Sequence, residues 1–141
     1  FKYVNNKSNL ISGFKYKHKK EYSISDNPAH GACSLIHKKN FLKIGGYNEL
    51  FDRQDGFYIW LLMLLKKYTI IHCKKPLFYY RKHGKNLSLD LKKILQTRLK
   101  ILSFFLKKKQ YYNSDLLELK NITSNKIKNL IFRNKKKYYK V

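Results

Sequence analysis

The sequence predicts an α/β unit over residues 1–88, followed by a basic helical extension over residues 89–141. Three observations carry this prediction. All six glycines and both prolines fall in the first part, where turns and chain breaks belong. Short β-prone runs alternate there with helical patterns. Beyond residue 88, apolar residues recur at helical spacing and neither Gly nor Pro interrupts them.

Residues 1–25 are polar, Lys/Tyr-rich and weakly patterned, which reads as a mobile or partner-dependent loop. Asp26-Asn27-Pro28 is a turn signal. Ala32 to Ile36 is a short apolar run expected as a strand. Lys38 to Ile44 reads as a turn or two of helix, closed by Gly45-Gly46, because glycine takes the left-handed cap conformation without a Cβ clash. Gly56 to Lys67 is apolar almost all round, with Trp60 and Leu64 four apart, and predicts a core helix. Thr69 to Cys73 is β-rich, Lys74-Lys75-Pro76 is a turn, and Leu77 to Tyr80 is a second strand. Arg81 to Ser88 is a polar loop. Ser88 suits the N-cap of the next helix, with Asp90 in its first turn. Leu91, Ile94, Leu95, Leu99, Leu102, Phe105 and Leu106 keep helical spacing towards Lys109. A further helix is expected from Asp115 to Lys120 behind Ser114, with weaker helical potential from Lys126 to Phe132.

Composition limits the function classes. The 141 residues hold 32 Lys+Arg against 8 Asp+Glu, a formal charge of +24, with 43% hydrophobic and 16% aromatic residues. That is too apolar for a disordered basic tail and long enough for one ordinary domain. Such charge points to an anionic partner: nucleic acid, anionic lipid or a phosphorylated small molecule. Yet the excess is nearly all Lys, and Asn, Ile, Tyr and Phe are abundant, the profile of an AT-rich genome. The charge also divides evenly, 17 basic and 5 acidic residues before residue 89 and 15 and 3 after it. Cys33 and Cys73 form no CxxC pair, which argues against a disulfide scaffold or zinc module and fits a reducing compartment. No apolar run reaches the roughly 18–20 residues of a membrane span. There is no secretory leader pattern. The first residue is Phe1, not Met, so the natural protein is expected to begin earlier.

The specific stretch runs from Asn27 to Ser88. It contains Asn27-Pro28-Ala29-His30-Gly31-Ala32-Cys33, Ile44-Gly45-Gly46-Tyr47-Asn48-Glu49 and Gln54-Asp55-Gly56-Phe57-Tyr58-Ile59-Trp60-Leu61. It ends in Pro76-Leu77-Phe78-Tyr79-Tyr80-Arg81-Lys82-His83-Gly84-Lys85-Asn86-Leu87-Ser88. In this order and spacing the set resembles the C-terminal half of family 2 glycosyltransferases with the GT-A (Rossmann-like) fold.

The resemblance implies transfer of a sugar from a nucleotide-diphosphate donor to an acceptor hydroxyl, with inversion, in surface polysaccharide or lipopolysaccharide assembly. The acceptor would be a glycan or a lipid-linked molecule. Such chemistry needs a carboxylate base, positive charge on the departing diphosphate, and loops that hold both substrates in line. Asp55 is the candidate base, because in the family an acid precedes a helix of Leu-Trp-Leu character, here Ile59-Trp60-Leu61. A helix N-terminus favours negative charge, the state a base must have; the competing role is a plain helix cap. Gln54 stands where many members carry Glu. Asp52 is a reserve carboxylate whose other role is pairing with Arg53 or capping a turn.

His83 matches a family histidine that approaches the metal or the diphosphate, and imidazole can ligate a metal such as Mn²⁺. Arg81 and Lys85 would contact phosphate oxygens. The competing view makes His83 a solvated loop residue. His30-Gly31-Ala32 matches a segment where small residues let the backbone approach the sugar nucleotide, or else a strand-entry turn. Tyr47, Gly56 and Trp60 fall on the acceptor side, though Trp60 on an apolar helix also reads as core. A divalent cation, Mg or Mn, is implied for the intact enzyme. The family's N-terminal Rossmann-like half and its DxD motif are absent from these residues, so the chain is expected to be an incomplete, inactive fragment.

Two other classes compete. A basic nucleic-acid-binding module would use the charge and the 12 tyrosines, but no helix-turn-helix, zinc-finger or RNP signature is present. The helix within residues 89–109, ending in Lys107-Lys108-Lys109, would allow peripheral contact with an anionic membrane; its apolar stripe equally suits packing on the domain. A cytoplasmic location, at most peripheral to the inner face of the cell membrane, is expected.

Overall fold

In the computed structural model the backbone is described for residues 2–4, 7, 10–13, 21–26, 34–71, 73, 75, 77, 79–81 and 83–138, and side chains are described within 7, 21–26, 34–71, 73, 75, 77, 79–81 and 83–132. Helices dominate. The order is β1 (Lys2–Val4), β2 (Leu10–Gly13), α1 (Lys38–Lys43), α2 (Asp55–Leu65), β3 (Tyr79–Arg81), α3 (Leu91–Leu106) and α4 (Ser114–Tyr138). One-turn 3-10 segments precede and follow α3, at Leu87–Leu89 and Lys109–Tyr111. The α/β expectation holds only in part, because the β component is one small sheet in the order β2-β1-β3. β1 pairs antiparallel with β2, with an irregularity between Tyr3 and Val4, and parallel with β3, Tyr3 opposite Tyr80.

The helix ends show how local sequence sets the frame. At the end of α1 the Gly46 N–H bonds the Phe41 carbonyl and the Gly45 N–H bonds that of Leu42, each at 3.0 Å. This pair of bonds is the Schellman arrangement, and Gly45 at φ 96° takes the left-handed position it needs. α2 ends the same way, with Tyr68 N–H on Met63 O at 3.0 Å and Lys67 N–H on Leu64 O at 2.9 Å. There the left-handed residue is Lys67, φ 58°, which bears a Cβ penalty that glycine would not.

One buried cluster holds the helices together. Phe57 to Leu62 of α2 meet Ile101, Leu102 and Phe105 of α3 and Leu116 of α4, with Ile24 and Ile44 at its edge. Leu61, Ile101, Leu102, Phe105 and Leu116 are fully buried, each contributing about 1.5–3 kcal/mol of apolar transfer. Tyr58 stacks on Phe105, ring centroids 5.3 Å apart, while Phe104 packs edge-on against Phe51 and Phe105. The cluster draws on both sides of the 88/89 boundary, so the compositional division is not a division between cores.

Several sequence expectations are corrected. The stretch read as a loop at 1–25 contains β1 and β2, and Asp26 accepts from the Ser23 N–H and hydroxyl to close a turn at 23–26. Residues 34–36 and the described residues from 69 to 73 form no strand; Ile71 and Cys73 are exposed rather than packed. The cap of α3 is Asp90, whose carboxylate accepts the Lys93 N–H at 3.0 Å, and not Ser88. The cap of α4 is Asn113, which accepts the Asp115 N–H at 2.7 Å, and not Ser114. The two helices expected after residue 114 are one, because Leu116, Leu119, Thr123, Ile127 and Leu130 form a continuous inward stripe along it. Packing on α3 carries α4 through the weak helix formers at 121–125.

Replacing Lys67→Gly should stabilise the fold by about 1 kcal/mol, and Gly45→Ala should destabilise it by a similar amount. Urea midpoints of the two variants should move in opposite directions; equal shifts of one sign would contradict the cap geometry.

Candidate functional site

The first turn of α2 is the best-defined polar feature. Its N-cap is Gln54 in a left-handed conformation, φ 61° ψ 26°, and the cap side chain bonds none of the helix N–H groups. The Gln54 carbonyl accepts the Tyr58 N–H, while its side-chain Oε1 turns outward to accept from Arg98 Nε at 2.7 Å. Arg98 projects from α3 and lays its guanidinium over the Phe57 ring, 4.8 Å from the centroid. Burial pushes the Arg98 pKa below the usual arginine value. A left-handed Gln is strained, and the bond from a charged, half-buried donor is strong enough to hold it.

Asp55 follows as the first helical residue. It is exposed and is not the cap, which resolves one competing role. Among the described residues its carboxylate forms no hydrogen bond or ion pair. Gly56 comes next, half-buried, and Trp60 lies one turn further on, inside the core at 9% exposure. Trp60 meets Tyr22 edge-on at 5.4 Å. The core reading of Trp60 therefore holds, and a stacking platform for sugar is not available there. Asp52 pairs with Arg53 at 3.8 Å, the structural role foreseen for it.

The second feature is the turn after β3. The Asn86 side chain organises it, accepting the His83 N–H and donating Nδ2 to the Arg81 carbonyl at 3.0 Å. The His83 Nδ1 accepts the Lys85 N–H at 3.2 Å. With Nδ1 accepting, the neutral ring carries its proton on Nε2, which can then act as a donor. Arg81, His83 and Lys85 are all exposed on this turn, three donors within five residues. Below it, Tyr80 Oη and Ser88 Oγ are 2.8 Å apart and tie β3 to the entry of α3.

Tyr47 is exposed and packs edge-on against Phe41 at 5.0 Å, at the start of a turn in which Asn48 Oδ1 accepts the Leu50 N–H. His30, Gly31 and Ala32 lie outside the described residues. Among the described residues no hydrogen bond or ion pair joins Asp55 to the 81–86 turn; the two features stand on separate elements. No cluster of three His, Cys, Asp or Glu side chains able to hold a metal occurs among the described residues.

Sequence reasoning missed Arg98. The signal was compositional: only four of the 32 basic residues are Arg. In so lysine-rich a chain, an Arg marks a place where a planar fork or a stacked guanidinium is used. Arg98→Ala should cost about 1.5–3 kcal/mol, because it removes a charged hydrogen bond and the guanidinium stacked on Phe57 in one step. Arg98→Lys should recover only part, as read by urea denaturation; full recovery by Lys would remove the case for guanidinium geometry.

Compared with known protein families, curated proteins and solved structures, the chain matches none.

Proposed function

We propose that this chain forms the acceptor-side part of a transferase that moves a sugar from a nucleotide-diphosphate donor to a hydroxyl acceptor. The observation that carries the reading is the unengaged carboxylate of Asp55 at the uncapped start of a buried helix. Among the described residues no hydrogen bond or ion pair engages that carboxylate, and the residue before it is clamped by Arg98. The Arg98–Gln54 bond braces the backbone just before Asp55, which supports a general-base role for the exposed carboxylate.

In this reading Asp55 takes the proton from the acceptor hydroxyl as its oxygen attacks the anomeric carbon and the nucleotide diphosphate leaves. Arg81, Lys85 and the His83 Nε2–H on the Asn86-braced turn donate to the departing phosphate oxygens. Tyr47, exposed on the turn after α1, would contact the acceptor. The divalent cation that the resemblance implies would find its DxD ligands in chain outside these residues. The donor pocket would be supplied by chain outside these residues, in keeping with the resemblance at Asn27 to Ser88.

The test uses the protein that carries this chain and a panel of nucleotide sugars. Asp55→Asn should lower transfer by about 100-fold or more while donor binding, measured by calorimetry, stays as in the parent. Near-normal turnover rejects Asp55 as the base. Steeply salt-dependent binding to generic DNA or RNA, with no response to any nucleotide sugar, would replace the class altogether.

A further inference from the structure

The leucines at the entry to α3 lie outside the buried cluster. Leu87, Leu89 and Leu91 are 70%, 65% and 49% exposed, three large apolar side chains within five residues. They sit on the 3-10 turn Leu87–Leu89 and the first residue of α3, and the Tyr80–Ser88 contact fixes that turn against β3. Burial of the α3 stripe leaves these residues as the outstanding apolar feature of the segment, because Leu95, Ile101, Leu102 and Phe105 are committed to the core. Basic residues flank them, Lys85 before and Lys92 and Lys93 after, all exposed. The one acid between, Asp90, is occupied: it caps α3 and pairs with Lys93 Nζ at 3.7 Å.

We infer that residues 87–93 form a membrane-docking element, in which the three leucines enter the headgroup region of an anionic bilayer and Lys92 and Lys93 bind its surface. Apolar insertion and basic attraction together are the two signals that stable peripheral attachment needs. The charge decides among occupants. At +24, a second copy of the chain is repelled, whereas an anionic bilayer attracts it. Nucleic acid would use the lysines and leave the leucines in water. No helix among the described residues is long and apolar enough to cross a membrane, so the element lies on the surface. The inference does not rest on the sugar-transfer reading.

Vesicles of phosphatidylcholine mixed with phosphatidylglycerol should pellet the protein, and vesicles of phosphatidylcholine alone should not. Leu87→Gln with Leu89→Gln should weaken the partition about tenfold, from reduced apolar burial, with circular dichroism and urea midpoint unchanged. Lys92→Gln with Lys93→Gln should weaken it by at least as much and flatten its salt dependence. Because Trp60 is the single tryptophan and is buried, Leu89→Trp adds an independent reporter whose emission should shift to the blue on anionic vesicles. This reporter decides the matter even if the glutamine pair fails to fold. The inference is overturned by absence of pelleting, by undiminished pelleting of a folded glutamine pair, by an unshifted Trp reporter on pelleted protein, or by dimerisation that these substitutions abolish.

Discussion

The stacking of Tyr58 on Phe105 joins α2 to α3 through large aromatic side chains, whereas α3 and α4 pack closely along their backbones. In the same cluster Leu61, Ile101 and Leu102 are fully shielded from water. Phe104 closes the side of the stack edge-on, against Phe105 and Phe51, which suits the ring quadrupoles better than further face-to-face packing. With α3 held in this way, Arg98 falls opposite the start of α2. Its reach to Gln54 follows from the aromatic packing and not from local sequence around either residue. The placement of Asp55 is thus a tertiary product: an α3 side chain fixes the backbone of the residue before it.

This coupling changes the meaning of the C-terminal segment. By composition, residues after 88 look like an appendage, lysine-rich and free of turns. Yet α3 supplies half of the core that α2 needs, and Leu116 of α4 completes it. The described lysines of α3 and α4 stand outside this core, all but Lys120 exposed, where solvent screens them and each costs little. Arginine behaves differently. Arg53 sits against Asp52 and Arg98 against Gln54 and Phe57, both in partly dry surroundings that a strongly hydrated ammonium would resist.

What could be read from sequence was what short-range chemistry decides. Gly45-Gly46 ends α1 because only glycine takes two successive left-handed steps at low cost, and the all-apolar run from Phe57 could be nothing but a buried helix. The apolar spacing of α3 survives almost residue for residue. The sheet was illegible for a corresponding reason: β1 finds β3 across more than half the chain, and three-residue strands carry no period of their own. Asp90 outcompetes Ser88 as a cap because the 3-10 turn shifts the helix start by two residues. Within the candidate site, the identity and position of Asp55 were visible in the helix signal, whereas its lack of partners, the strained Gln54 and the Arg98 clamp were not. The same holds for His83: its place in a polar turn was legible, but the bond to its Nδ1 depends on how Asn86 folds the turn.

The two polar features and the leucine cluster share one mechanical frame. β3 leads into the Asn86 turn, the turn leads into Leu87–Leu89, and the next turn of chain begins α3, which carries Arg98 to α2. The Tyr80–Ser88 contact spans the corner, so a load on the leucines is borne by β3 and α3 together and not by a free loop. A bilayer engaged at this corner would therefore hold the donors at Arg81, His83 and Lys85 close to its headgroups. An acceptor that is itself anchored in lipid would then reach the site by diffusing in two dimensions. On the proposed reading the exposed leucines and the basic turn would serve a common purpose, and the location of the positive charge would matter more than its total.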